Sequence, residues 1–323
     1  MIMMIHPTSK NLFNYPPGTT IIGKWHKNSY TIIKKLGTGA IGTVYLVQGR
    51  KGYFALKMGK DSLSVTSEVN VLKAFQRVQG KNLCPAFIEM DDWEVKGRRI
   101  LFYVMEYING KDLLAFVQQK RASWIGVLMV QLLDHLHQIH RAGWVFGDLK
   151  PENLLVSGPG AVVRFVDVGG TTIQGRSIKE FTEFFDRGYW GLGTRRAEPS
   201  YDLFAVAMMM IDICYPQRFS KNQKYDGMKQ LKQVIHHKKQ LRLYEPVLFS
   251  ALSGQYHSAL EMKKDLLAIL TNDRRGSQYK RNLSSIQQNR VRKRNRKTRF
   301  METFFILLLI TLLYAIYIFG QIV

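Results

Sequence analysis

Gly147-Asp148-Leu149-Lys150-Pro151-Glu152-Asn153-Leu154-Leu155-Val156 sets a carboxylate, an amine and an amide on one short stretch ahead of an apolar run. Upstream, Trp124 to Arg141 carries apolar residues on more than one face, the pattern of a helix buried inside a larger lobe, and Gly143 is placed to end it. Downstream, Leu154 to Val156 and Val162 to Val166 flank Ser157-Gly158-Pro159-Gly160, a turn sequence that favours a hairpin. The polar stretch is therefore expected as a loop between a helix and a hairpin, with Asp167-Val168-Gly169 directly after the second strand. Further on, Asp202 to Cys214 is apolar and long enough for a buried helix, and Tyr225 to Leu270 supplies shorter amphipathic ones.

The N-terminal third has a different grammar. Tyr30 to Leu36 and Tyr53 to Lys57 alternate apolar and polar residues between glycines, which predicts strands, hairpins and a small β-rich lobe. Gly37-Thr38-Gly39-Ala40-Ile41-Gly42-Thr43-Val44 matches GxGxxGxV and lies between two such runs, not at the start of a helix as a dinucleotide fingerprint would. Glycines there would let backbone N–H groups approach phosphates closely, and Val44 could pack on an adenine; a glycine-rich hairpin without ligand fits the same letters. Lys57, on the next strand, stands where a lysine would meet the α and β phosphates, although a lysine with a buried stem and a wet head is common. Ser64 to Val78 places Val65, Val69, Leu72 and Phe75 at helical spacing and carries Glu68, which can clamp Lys57. Leu101 to Tyr107 reads as a strand, Asn109 to Asp112 as a turn, and the lobe boundary is expected near Glu106 to Gly110.

These groups, in this order, are what phosphoryl transfer requires. Asp148 can accept the hydroxyl proton, Lys150 can sit by the γ-phosphate, and Asn153 and Asp167 can supply oxygen ligands to Mg²⁺. An isolated Asp-x-x-x-x-Asn is also what a capped turn contains, and only the company it keeps sets this one apart. From about Gly18 to Asp273 the chain resembles the Hanks-type, eukaryotic-like serine/threonine protein kinases. More narrowly it resembles the small membrane-anchored, DNA-stimulated kinases of sporulating bacilli, through Gly147 to Asn153, Asp167-Val168-Gly169-Gly170-Thr171-Thr172, Arg187-Gly188-Tyr189-Trp190-Gly191 and Ala197-Glu198-Pro199-Ser200-Tyr201-Asp202. The resemblance implies an α+β bilobal protein-kinase fold, ATP and Mg²⁺, protein substrates, self-association for autophosphorylation, and Asp202 as a buried carboxylate supporting the catalytic loop. Three departures accompany it. Phe146-Gly147-Asp148 stands where most such kinases have His-Arg-Asp, so the arginine that pairs with a phosphorylated activation loop is missing. Val168 replaces a phenylalanine, and Ala197-Glu198-Pro199 lies only three residues before Asp202, which puts the peptide-docking platform in question. Thr171, Thr172, Thr182 and Thr194 in this region are candidates for autophosphorylation.

The chain has 323 residues, 46% of them hydrophobic, enough for one two-lobed domain plus an appendage. Cys84 and Cys214 are isolated, which argues against a disulfide framework or a zinc site. Met1 to Lys10 lacks the long apolar run and small-residue cleavage site of a secretory signal, so the bulk of the chain is expected in the cytosol. Of 47 Lys and Arg, 11 lie between Arg274 and Arg299, where there is no acid, and the other 36 against 24 acids leave +12 elsewhere. Phe304 to Val323 is 20 residues without charge, close to the ~30 Å hydrocarbon thickness as a helix. The expected organisation is an N-terminal extension (1–28), a kinase domain (29–273, lobes meeting near 108), a basic juxtamembrane linker (274–303) and a C-terminal transmembrane helix (304–323), with the kinase facing the cytoplasm of a bacterial cell. The densest basic block, Arg290, Arg292, Lys293, Arg294, Arg296, Lys297 and Arg299, suits anionic membrane lipid, and it suits DNA through sequence-independent phosphate contacts. The resemblance favours DNA as an activating partner. The competing readings are a pseudokinase scaffold, motivated by Gly147 and Val168, and a small-molecule kinase of related fold.

Overall fold

The structure, a computed structural model, describes residues 13–39, 42–79, 83–120, 123–215, 217–222 and 226–272. The N-terminal part is an antiparallel sheet of β1 (Thr20–Ile22), β2 (Ser29–Thr38), β3 (Gly42–Gly49), β4 (Gly52–Gly59), β5 (Phe87–Val95) and β6 (Arg98–Glu106), in the order β1-β2-β3-β4-β6-β5. Alternation along β3 and β4 turns Tyr45, Val47, Leu56 and Met58 into one core with Phe102 and Val104 of β6. One helix, α1 (Ser62–Gln79), packs on this sheet through Val65, Val69, Leu72 and Phe75, the residues its spacing selects. The stretch read as an N-terminal extension is in part built into the lobe. β1 pairs with β2, Ile21 and Phe13 join the core, and the Asp91 carboxylate accepts the N–H groups of Trp25 and His26.

The second lobe is mainly helical. After β7 (Gly110–Asp112) come α2 (Leu113–Lys120), α3 (Trp124–Arg141), β8 (Trp144–Val145), the hairpin β9 (Leu154–Ser157) and β10 (Val162–Phe165), and β11 (Thr172–Ile173). The segment read as a turn, Asn109 to Asp112, contains β7, which pairs with β9 and makes the hairpin a three-stranded sheet. Beyond lie α4 (Arg187–Trp190), α5 (Pro199–Cys214), α6 (Gly227–His237), α7 (Lys239–Arg242) and α8 (Glu245–Leu252). Every residue of α5 from Tyr201 to Asp212 is buried, which is why its sequence is apolar all round: it is the axis on which α3, α8 and β8 pack.

Among the described residues no helix is long and apolar enough to cross a membrane. The expected transmembrane helix, 304–323, and the linker, 274–303, with Arg290, Arg292, Lys293, Arg294, Arg296, Lys297 and Arg299, lie outside the described residues.

Candidate active site

Strand register decides where the first functional side chains meet. Lys57 on β4 lies beside Val44 on β3 and Tyr103 on β6, so its stem is enclosed by the sheet while its amine reaches toward α1. Glu68, in the second turn of α1, receives it: Lys57 Nζ is 2.7 Å from Glu68 Oε1, with both residues buried. The same amine lies 3.5 Å from Asp167 Oδ1, and that side chain is 46% exposed. Three charged groups thus form one cluster around a single cation. Burial, the largest influence on Glu68, pushes its carboxyl up to about 7 against the pull of Lys57. Burial also opposes the charge on Lys57 and on Asp167, yet there it loses. Asp167 and Glu68 together hold the lysine above its ordinary value, while Lys57 and the Gly169 N–H hold Asp167 below the usual carboxylate range. Of the two acids, Asp167 keeps its charge more firmly.

The second group is the loop between β8 and β9. Lys150 Nζ donates to Asp148 Oδ2 at 2.5 Å, and the Thr182 hydroxyl donates to Asp148 Oδ1 at 3.0 Å while lying 3.1 Å from Lys150 Nζ. Asn153, in the 3-10 turn Pro151–Asn153, donates its amide to the Asp148 carbonyl at 2.8 Å. That bond ties the loop back on itself and leaves Asn153 Oδ1 as the acceptor available to a cation. Asp167 and Asn153 suit a hard divalent ion of the magnesium kind, which takes one or two protein oxygens and draws its remaining ligands from water and phosphate. Among the described residues no cluster of three His, Cys, Asp or Glu offers a full protein cage.

Support comes from beneath. The fully buried Asp202, near the start of α5, accepts the N–H of Phe146 at 2.8 Å and of Gly147 at 2.9 Å, and pairs with His140 Nε2 at 2.8 Å. Phe146 stacks on Phe165 with ring centroids 4.4 Å apart, an aromatic packing role that survives the change of sequence beside Asp148. Gly147 has φ +85°, and a Cβ there would lie 2.7 Å from the Gly170 carbonyl oxygen. The residue that replaces arginine is thus the one the local backbone admits.

In the glycine-rich turn, Gly37 pairs with Val44 across β2 and β3, Gly39 donates to the Gly42 carbonyl, and a side chain on Gly37 or Gly39 would meet open space. Gly42 differs. A Cβ there would run into the Met58 carbonyl oxygen, so the passage of β4 by itself already requires a glycine at this position.

Two participants carry no motif of their own. Thr182 stands in the sequence as one modification candidate beside Thr171, Thr172 and Thr194, yet its hydroxyl closes the Asp148–Lys150 pair; Thr171 and Thr172 are buried, and only Thr194 is exposed. No spacing rule marks Thr182. Arg164 on β10 forks onto Glu106 at the end of β6 (2.6 and 2.8 Å) and donates to the Cys84 carbonyl, tying the hairpin beneath the site to the lobe boundary. A signal for it does exist: one charge inside an otherwise apolar run. Past Thr182 the chain is held by its own polar contacts. Buried Asp186 caps α4 and pairs with Arg195, and Arg187 pairs with Glu198 of the Ala197-Glu198-Pro199 segment.

Known proteins resemble this chain. The protein kinase domain family matches residues 30–286. The serine/threonine-protein kinase YabT of Bacillus subtilis is 51% identical over 285 residues, covering 88% of this chain and 83% of that one. The serine/threonine-protein kinase cek1 of Schizosaccharomyces pombe is 33% identical over 139 residues, 40% of this chain and 10% of its own length. Among solved structures, vaccinia related kinase 3 superposes with a TM-score of 0.59 at 17% identity, over 81% of this chain and 93% of that one, a likeness of fold.

Proposed function

Since the chain belongs to the protein kinase family and is a serine/threonine protein kinase, we propose that it transfers the γ-phosphate of ATP with Asp148 as the base, Lys150 beside the transferred group, and Asn153 and Asp167 holding Mg²⁺. ATP and a divalent metal belong to the domain's chemistry, and the metal neutralises charge on the phosphates. The chain's own groups do the rest. Lys57, fixed by Glu68, meets the α and β phosphates under the turn of Gly37, Gly39 and Gly42, and Val44 covers the base. Asp148 takes the hydroxyl proton of the substrate, with Thr182 and Lys150 fixing the orientation of its carboxylate. The observation that carries this reading is the contact of Asp148 with both Lys150 and Thr182.

The test is transfer from ATP and Mg²⁺ to mixed protein substrates by wild type and Asp148→Ala. The variant is expected to lose about 10²- to 10⁴-fold in kcat. Equal, near-zero transfer by both would leave a scaffold without catalysis. Phosphoamino-acid analysis should find phosphoserine and phosphothreonine, whereas label on a metabolite alone would point to a small-molecule kinase.

The reading extends to place and control. Phe304 to Val323 anchors the kinase in the membrane of a bacterial cell with its catalytic domain on the cytoplasmic side, and the basic linker before it contacts anionic lipid and DNA, the latter stimulating activity. The support is the uncharged length of the tail, the 11 Lys and Arg without an acid between Arg274 and Arg299, and the missing arginine at Gly147, which removes the usual phosphate-operated switch.

A further inference from the structure

A cation that plays no part in the chemistry above lies against the same loop as the base. Glu152 belongs to the turn Pro151–Asn153, between Lys150 and Asn153, and its side chain is half exposed. Asp212, in the last turn of α5, is buried, and burial, the largest influence on it, raises its carboxyl above the ordinary value. Arg218 spans the two. Its Nε is 3.0 Å and its Nη2 3.2 Å from the oxygens of Asp212, and the same Nη2 is 2.5 Å from Glu152 Oε1. The guanidinium also lies over the rings of Phe185, 4.7 Å away, and Phe184, 5.9 Å away, the residues that follow Thr182 and Glu183. One side chain therefore joins the catalytic loop, the end of α5 and the segment that delivers Thr182 to Asp148.

A carboxylate buried as Asp212 is needs a cation, and a planar guanidinium can face two acids and lie flat on an aromatic ring at once, which an ammonium cannot. The location gives this niche its meaning. Glu152 follows Asp148 by four residues on the same loop and is half exposed, so a substrate chain that brings a hydroxyl to Asp148 would come near it, and an arginine carried on that chain would find in Glu152 and Asp212 a complementary seat. In this protein the seat is taken by the chain itself.

We propose that Arg218 is a specificity-determining residue: it fills, from within, the guanidinium niche formed by Glu152 and Asp212, and so makes the kinase indifferent to arginine beside the phosphorylated residue of its substrates. A mere strut would, on removal, cost stability and nothing else. Vacating the niche instead creates a preference.

The experiment uses serine peptides that differ by one arginine, moved one position at a time along both flanks, with the full-length chain as enzyme. Wild type should phosphorylate all of them within about twofold of the arginine-free peptide. Arg218→Met, which keeps an unbranched stem over Phe185, should gain about five- to tenfold in kcat/KM for at least one arginine position, through KM and not kcat. Glu152→Gln added to Arg218→Met should abolish that gain, and millimolar guanidinium chloride should inhibit phosphorylation of the favoured peptide by Arg218→Met but not by wild type. Thermal melting controls for folding, and Arg218→Gln is carried through the same peptides as a second variant. The proposal falls if a folded variant shows no gain, if wild type already has the same preference, if the gain survives Glu152→Gln, or if both variants unfold, since Arg218 would then be a strut.

Discussion

Lys57 serves two carboxylates, and the sharing has a signature in pH. Glu68 has a folded-state value of about 7 against an ordinary 4.5, so the folded protein binds that proton more tightly than the unfolded chain. Its contribution to stability is therefore complete below about pH 4.5 and is lost as pH rises through about 7. Activity runs the other way, because the pair with Lys57 is strongest when Glu68 is ionised. Wild type should lose kcat/KM for ATP as pH falls through about 7, whereas Glu68→Gln, which can still accept from Lys57, should show a flat profile there at a plateau lowered about 10- to 100-fold. An acidic limb unchanged in Glu68→Gln would assign it to another group. With φ at +85° and the Gly170 carbonyl 2.7 Å from any Cβ, Gly147→Ala should cost about 1–3 kcal/mol in denaturant unfolding. Gly147→Arg should cost at least as much and should restore no dependence on activation-loop phosphate. If Gly147→Arg were as stable as wild type, the backbone argument for the glycine would fail.

At the scale of elements, the site depends on α5 holding the loop before Asp148. The Asp202 carboxylate faces two backbone N–H groups and His140 Nε2. An asparagine has one acceptor oxygen and an NH₂, so Asp202→Asn turns a donor toward a donor in a buried place. The expected loss is about 2–5 kcal/mol of stability, with kcat falling more than KM for ATP rises, since Lys57 and Glu68 stand on other elements. A KM effect with kcat intact would show that Asp202 does not position the base. The elements that carry the site are also the legible ones. Helix α3 occupies Trp124–Arg141 as its apolar pattern predicts, and β9 and β10 flank the Ser157 to Gly160 turn, because burial on several faces and turn chemistry are both local signals. Two of the elements that sequence does not announce are only three residues long. β1 and β7 exist because a neighbouring strand offers an edge, and nothing in Thr20–Ile22 or Gly110–Asp112 marks that neighbour. Thr182 and Gly42 follow the same logic. The hydroxyl matters because the chain folds it onto Asp148, and the glycine because β4 passes close, both facts of tertiary structure.

Across the whole molecule, charge is divided between a kinase domain and a tail that carries 11 cations without an acid between Arg274 and Arg299. A surface-only role for that run and a regulatory one differ in what they exclude. Anionic lipid would attract each lysine or arginine near the surface by about 1 kcal/mol, and duplex DNA would take up the same cations with release of its counterions, so on the proposed function the two polyanions would compete for one segment. Changing the seven Lys and Arg of 290–299 to Gln should weaken duplex binding at every sequence alike and flatten the plot of log affinity against log salt by about 0.9 for each phosphate no longer neutralised. DNA-stimulated phosphorylation should fall with it, while the unstimulated rate, set by Lys57, Asp148 and Asp167, should not. In vesicles, raising the fraction of anionic lipid should demand more DNA for the same stimulation, because the linker must leave one polyanion to engage the other. Stimulation that is independent of lipid charge and survives the Gln substitutions would move the control point off the tail and back to the kinase domain.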